Sequence, residues 1–159
     1  MSANDTIMVD TREHQHAIRR ILEQLEAAGY RTVFTKLYVG DYQKVSNGLL
    51  VVDRKQNLNE LAGNVCQQHE RFRAEMIRAK EAGIRLVILC EHSRSITCLE
   101  DVALWKNPRL KENPDSITGE KLYKILKTMS EKYGVEFHFC DKLHTGERII
   151  EILEGNNEG

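Results

Sequence analysis

The chain has 159 residues, with 23 Lys and Arg against 24 Asp and Glu and a formal charge of -1. That length fits one domain, able to bury about 68–70% of the surface its unfolded chain exposes, so neither disulfides nor a structural metal is needed for a core. The balance of charge excludes a uniformly basic nucleic-acid coat but not a local basic groove, two prolines and ten glycines exclude a collagen-like or low-complexity chain, and no apolar run nears the ~18 residues of a membrane span.

In chain order, Thr6–Asp10 reads as a short strand. A helix is expected from about His14 to Ala28, because Ile18, Ile21, Leu22 and Leu25 share one face, and Gly29 ends it. Arg31 to Val39 is β-branched and aromatic, a second strand. Gly40-Asp41-Tyr42 makes a break. Leu49 to Arg54 is an apolar run ending in charge, which predicts a strand buried on both faces. Leu58 to about Ala82 reads as helical, interrupted near Gly63. Arg85 to Cys90 is another buried strand, with Cys90 as a small hydrophobe. Residues 93–117 are irregular. Thr118 caps a helix carrying Leu122, Ile125, Leu126, Met129 and Tyr133 on one stripe, and Gly134 ends it. Val135, Phe137 and Phe139 alternate as a strand, and Thr145 opens a last helix. Strands alternating with helices predict an α/β fold with a central sheet. Residues 1–154 form the expected domain and 155–159 a flexible tail.

Cys66, Cys90, Cys98 and Cys140 form no C-x-x-C pair, and the six histidines are scattered, so no zinc site is expected. Four free thiols without a secretory leader fit a reducing, cytoplasmic setting.

Charge clusters at three strand ends or breaks: Asp10-Thr11-Arg12-Glu13, Gly40-Asp41-Tyr42 and Asp53-Arg54-Lys55. Asp53 and Lys55 leave the same face of a strand. With Asp41 beside them they suit a hydrolytic site in which two carboxylates hold a hard cation such as Mg²⁺. Taken singly, each cluster reads more simply as a solvated strand end, a turn aspartate or a helix cap.

The succession V-D-T-R-E, G-D-Y and D-R-K, with Asp41 and Asp53 twelve residues apart, resembles the XPF-type structure-specific endonucleases of the PD-(D/E)XK superfamily. The likeness runs along almost the whole chain and includes Glu70-Arg-Phe-Arg. It implies a restriction-endonuclease-like mixed sheet flanked by helices, with Mg²⁺ or Mn²⁺ as cofactor and DNA as partner. It also suggests a homodimer formed by the helices after Thr118 and Thr145. By the same resemblance the metal ligands fall on Asp41 and Asp53, the catalytic lysine on Lys55 and the motif arginine on Arg54. Asp10, Arg12 and Glu13 fall beside the metal site, with Glu13 completing the shell. Asp53 stands where the family usually has Glu, and Asn59, followed by Glu60, stands where it has a further acid. The likeness is strongest to standalone bacterial and viral versions without a tandem helix-hairpin-helix domain.

For DNA, the candidates are Arg71, Arg73 and Arg78 after Glu70, and Lys106, Lys121 and Lys124 within residues 106–132, a stretch of seven basic and four acidic side chains. Trp105 reads as a core anchor in preference to a base-stacking residue. The rival expectations are an inactive DNA-binding or scaffold module, which would be free to lose the acids and lysine kept here, and a small-molecule enzyme, for which no glycine-rich phosphate loop is present.

Overall fold

Residues 6–155 are described by a computed structural model. Six strands, β1 (Thr6–Asp10), β2 (Arg31–Thr35), β3 (Tyr42–Lys44), β4 (Asn47–Lys55), β5 (Arg85–Glu91) and β6 (Glu136–Cys140), form one sheet in the order β2-β1-β3-β4-β5-β6. The pairs β1–β2, β4–β5 and β5–β6 are parallel; β1–β3 and β3–β4 are antiparallel. The sheet is therefore mixed, as the resemblance implied. The short β3 inserts between β1 and β4 and brings the ends of all three to one place.

Helices cover both faces: α1 (Arg19–Ala27) and α5 (Thr145–Leu153) on one, and α2 (Leu58–Cys66), α3 (His69–Glu81) and α4 (Gly119–Tyr133) on the other. Alternation along β5 makes both cores. Leu86, Ile88 and Cys90 pack toward α2–α4, while Val87 and Leu89 pack toward α1 and α5. A strand buried on both faces cannot alternate polar with apolar, which is why this segment reads as a continuous hydrophobic run. Each fully buried aliphatic side chain here contributes about 1.5–3 kcal/mol of transfer free energy.

Several boundaries differ from expectation. Residues 15–18 are turns, and α1 begins at Arg19. The break between α2 and α3 falls at Gln67–Gln68, whose two backbone N–H groups both donate to the Gly63 carbonyl; Gly63 itself stays helical. Two short 3-10 turns, Leu99–Leu104 and Pro108–Lys111, occupy the irregular stretch. Thr118 caps α4 as expected, accepting from Lys121 N at 3.2 Å, and Gly134 ends it at φ 74°. Thr145 opens α5 as expected; it is the first residue of the helix and is 1% exposed, so its hydroxyl is available to the core. The apolar stripes of α4 (Leu122, Leu126, Met129) and α5 (Ile149, Ile152, Leu153) are buried inside the chain. Among the described residues no helix is long and apolar enough to cross a membrane. Residues 156–159 of the expected tail lie outside the described residues.

Candidate active site

The three charged motifs meet where β1, β3 and β4 end side by side. Asp10 N donates to the Asp41 carbonyl at 2.8 Å, and Asp41 N donates to the Val52 carbonyl at 2.8 Å. Backbone bonds thus set Asp10, Asp41 and Asp53 on three neighbouring strand ends. Gly40 makes the turn into β3 at φ +69°, and an added Cβ would lie 2.4 Å from Val51 Cγ1. No other residue type combines that φ with that approach at low cost.

Asp41 and Asp53 are 8% and 5% exposed. Asp41 accepts Arg54 N at 2.8 Å through Oδ2. Lys55 Nζ stands 3.2 Å from Asp53 Oδ2, an ion pair out of hydrogen-bond alignment, so that oxygen is buried with no hydrogen-bond partner. Lys55 Nζ also lies 5.5 Å above the Phe72 ring centroid. The same cleft, about 510 Å³, is lined by Glu75, Arg71 and Arg78 of α3.

The electrostatics split the acids. Burial, then the charge of Asp53, pushes the Asp41 carboxyl well above its usual range. Burial also works to raise Asp53, but the charge of the Lys55 ammonium outweighs it and holds Asp53 low. Glu75 is pushed up to about 7, by burial first and then by the charge of Asp53. Burial works against the charged form of Lys55, yet the charges of Asp53, Glu75 and Glu60 prevail and raise it. Without a cation, then, the cluster keeps Asp53 and Lys55 ionised and favours a proton on Asp41.

Beside this cluster lies a second, fully partnered one. Arg54 donates to Glu13 through Nε (2.6 Å) and Nη2 (3.0 Å), and to Glu91 through Nη1 (2.5 Å). Thr145 Oγ1 donates to the other Glu91 oxygen at 2.5 Å, and Tyr42 OH donates to Glu13 at 2.8 Å. Burial opposes the charge on Arg54, but the hydrogen bonds and charge of Glu13, with Glu91, raise its pKa. Asp10, fully buried, accepts Arg12 Nε at 2.5 Å and Leu37 N at 2.8 Å; these contacts overcome burial and hold it low. Glu13 and Asp10 are therefore engaged with arginines and backbone.

Glu60 accepts Gln56 N at 2.7 Å, and Asn57 accepts Glu60 N at 2.9 Å, so the residues after Lys55 cap α2. Asn59 lines a different groove, with Asn107 and Arg109. Of the expected DNA contacts, Arg71 and Arg78 line the acidic cleft. Arg73, Lys121 and Lys124 line a groove of about 350 Å³ between α3 and α4 that has no acidic lining residue. Exposed Lys106 belongs to neither. Trp105 is 9% exposed and meets His92 edge-on at 6.3 Å, which identifies it as a packing residue. The residues missed in sequence are Glu75, hidden among the alternating charges of α3, and Glu91, at the charged end of an apolar run.

The ERCC4 domain profile matches residues 9–153. The chain belongs to the ERCC4-domain family of XPF-type nucleases. Its fold is similar to that of XPF from Aeropyrum pernix, with a TM-score of 0.67 and 19% identity over 96% of this chain. A second structure of the Aeropyrum pernix XPF, in complex with DNA, gives 0.66 and 20% over 96%. The chain spans about 65% of the length of those structures. No curated protein sequence matches it.

The donor set suits the family's divalent cation. Among the described residues no group of three or more His, Cys, Asp or Glu is gathered as a metal cage. Mg²⁺, however, is usually bound by one or two carboxylates and keeps several waters. Two buried acids on adjacent strands, one with an oxygen lacking any hydrogen bond, fit that requirement.

Proposed function

We propose that this chain is an Mg²⁺- or Mn²⁺-dependent endonuclease that hydrolyses phosphodiester bonds in DNA, on branched, flapped or nicked forms. The observation that carries the reading is the juxtaposition of Asp41, Asp53 and Lys55, with Asp53 Oδ2 buried and without a hydrogen bond. Family membership and the DNA complex of the Aeropyrum pernix XPF support it.

Asp41 and Asp53 are the residues that would hold the cation, with Glu75 beside them. A cation bound there would supply an acidified water and neutralise charge developing on a phosphate oxygen. The protein's own groups do the rest. Lys55, kept charged by Asp53 and Glu75, offers N–H donors to an attacking water or to a non-bridging phosphate oxygen. Arg54 pins Glu13 and Glu91 and, through its own backbone N–H, orients Asp41. Arg12 is 54% exposed while still holding Asp10, and with Arg71 and Arg78 it can bind flanking phosphates. A homodimer through this domain belongs to the same reading, and a mass measurement in solution tests it.

Labelled duplex, flap, fork and four-way DNA, incubated with Mg²⁺, Mn²⁺ or EDTA, test the activity. Wild type is expected to cut with either cation and not in EDTA. Asp41→Asn and Lys55→Ala are each expected to slow cleavage by at least about 100-fold with unchanged far-UV circular dichroism. Unchanged cleavage by both variants overturns the assignment.

A further inference from the structure

Tyr38 has no role in the cation chemistry, yet its setting is unusual. All ten Phe, Tyr and Trp residues lie within the described part of the chain, and Tyr38 alone is exposed, at 64%. The backbone around it is fixed. Leu37 and Val39 on either side are 6% and 1% exposed, Leu37 N is held by Asp10 Oδ1 at 2.8 Å, and the sterically locked Gly40 follows. Two buried neighbours force the intervening side chain outward. The ring is thus presented on a rigid support three residues before Asp41. Arg78 brings its guanidinium carbon to 5.8 Å from the ring centroid, and Arg78 also lines the cleft that contains Asp41, Asp53 and Lys55.

A preorganised aromatic face against a cation that itself lines the proposed catalytic cleft has a specific chemical use. Nucleobases stack on aromatic side chains when they are free of duplex stacking, and an adjacent arginine adds cation–π and phosphate contacts. Bases inside a continuous duplex present no free face. We infer that Tyr38, backed by Arg78, is a stacking platform for an unpaired nucleobase next to the scissile phosphate. Tyr38 accordingly contributes to binding of DNA with single-stranded nucleotides at the cut, such as a flap or fork, and not to binding of unbroken duplex. This inference rests on the nuclease reading of the same cleft.

The test measures binding in EDTA, where no cleavage occurs, by fluorescence anisotropy of the full chain with oligo-dT, a flap and a continuous duplex. A 2-aminopurine at the first unpaired nucleotide of the flap reports stacking by quenching. Tyr38→Ala is expected to weaken oligo-dT and flap binding by about 5- to 150-fold, to leave duplex binding within about two-fold and to abolish the quench. Tyr38→Phe should match wild type. Equal effects on flap and duplex, no effect on either, or no DNA binding by wild type overturns the platform. So does a loss of self-association by Tyr38→Ala in sedimentation, which would make the ring a contact between copies. Cleavage with Mg²⁺ separates the two claims. Wild type that stacks but never cuts refutes the nuclease reading alone; wild type that cuts a flap no faster than Tyr38→Ala does refutes the platform alone.

Discussion

Arg54 and Glu13, 41 residues apart in sequence, share two hydrogen bonds of 2.6 and 3.0 Å in a site where both side chains are nearly buried. The planar fork of the guanidinium matches the carboxylate, and its third contact reaches Glu91. This pair ties the turn after β1 to the ends of β4 and β5.

Arg54→Ala leaves Glu13 and Glu91 as uncompensated buried charges. Removing one partner from such a cluster typically costs about 3–5 kcal/mol. Urea unfolding of the variant should show a drop in stability of that order. Arg54→Lys, a point charge without the fork, should fall between the two. A variant as stable as wild type would refute the structural role.

Gly40→Ala meets two penalties together, a left-handed φ of +69° and a Cβ placed 2.4 Å from Val51 Cγ1. A shift of the turn relieves the clash only by moving Asp41. The variant is expected to be less stable by about 1–3 kcal/mol and to bind Mn²⁺ more weakly than wild type in a thermal-shift titration.

The cation-free protein should lose stability as pH rises toward neutrality. Glu75 has its pKa raised from 4.5 to about 7, and Asp41 moves in the same direction. The stability each contributes is fully present below the unfolded pKa and is lost as pH climbs through the folded one. Asp53 and Asp10, held low, run oppositely: their contribution is present above 3.8 and is lost in acid. In EDTA, unfolding free energy compared at about pH 5 and about pH 8 should fall more for wild type than for Glu75→Gln. Equal falls would show that Glu75 titrates normally.

Affinity for duplex DNA should depend steeply on salt despite a chain charge of -1. The groove lined by Arg73, Lys121, Lys124 and Lys132 contains no acidic lining residue. Lys121→Ala and Lys124→Ala should each reduce the slope of log affinity against log salt by about 0.9 for every phosphate no longer neutralised. An unchanged slope would place the DNA elsewhere.

The strands that carry Asp10, Asp41 and Asp53 were legible because apolar runs end abruptly in charge there, and the order of the three motifs pointed to the family. The partners of those residues were not legible. Arg54 meets Glu91 across 37 residues, and Glu91 meets Thr145 across 54, pairings that depend on sheet order and on where a helix lands. Glu75 was invisible for another reason. Helix α3 is charged on most of its surface, so nothing in its pattern marks which acid turns inward. Thr145 is legible as the start of a helix, but the use of its hydroxyl, a hydrogen bond to Glu91, is set by tertiary structure.

The twelve-residue interval between Asp41 and Asp53 is the contour of a hairpin, not a ruler between the acids. Their separation is fixed by Tyr42 facing Val52 across adjacent strands, while a register shift at Gln43/Lys44 absorbs the residues beyond. Lengthening the exposed turn near Val45 and Ser46 would leave both acids where they are. Deleting one residue between Val51 and Asp53 would turn Asp53 toward the opposite face of the sheet. The length of this segment can therefore change in this chain without moving the site, provided the change is confined to the hairpin tip.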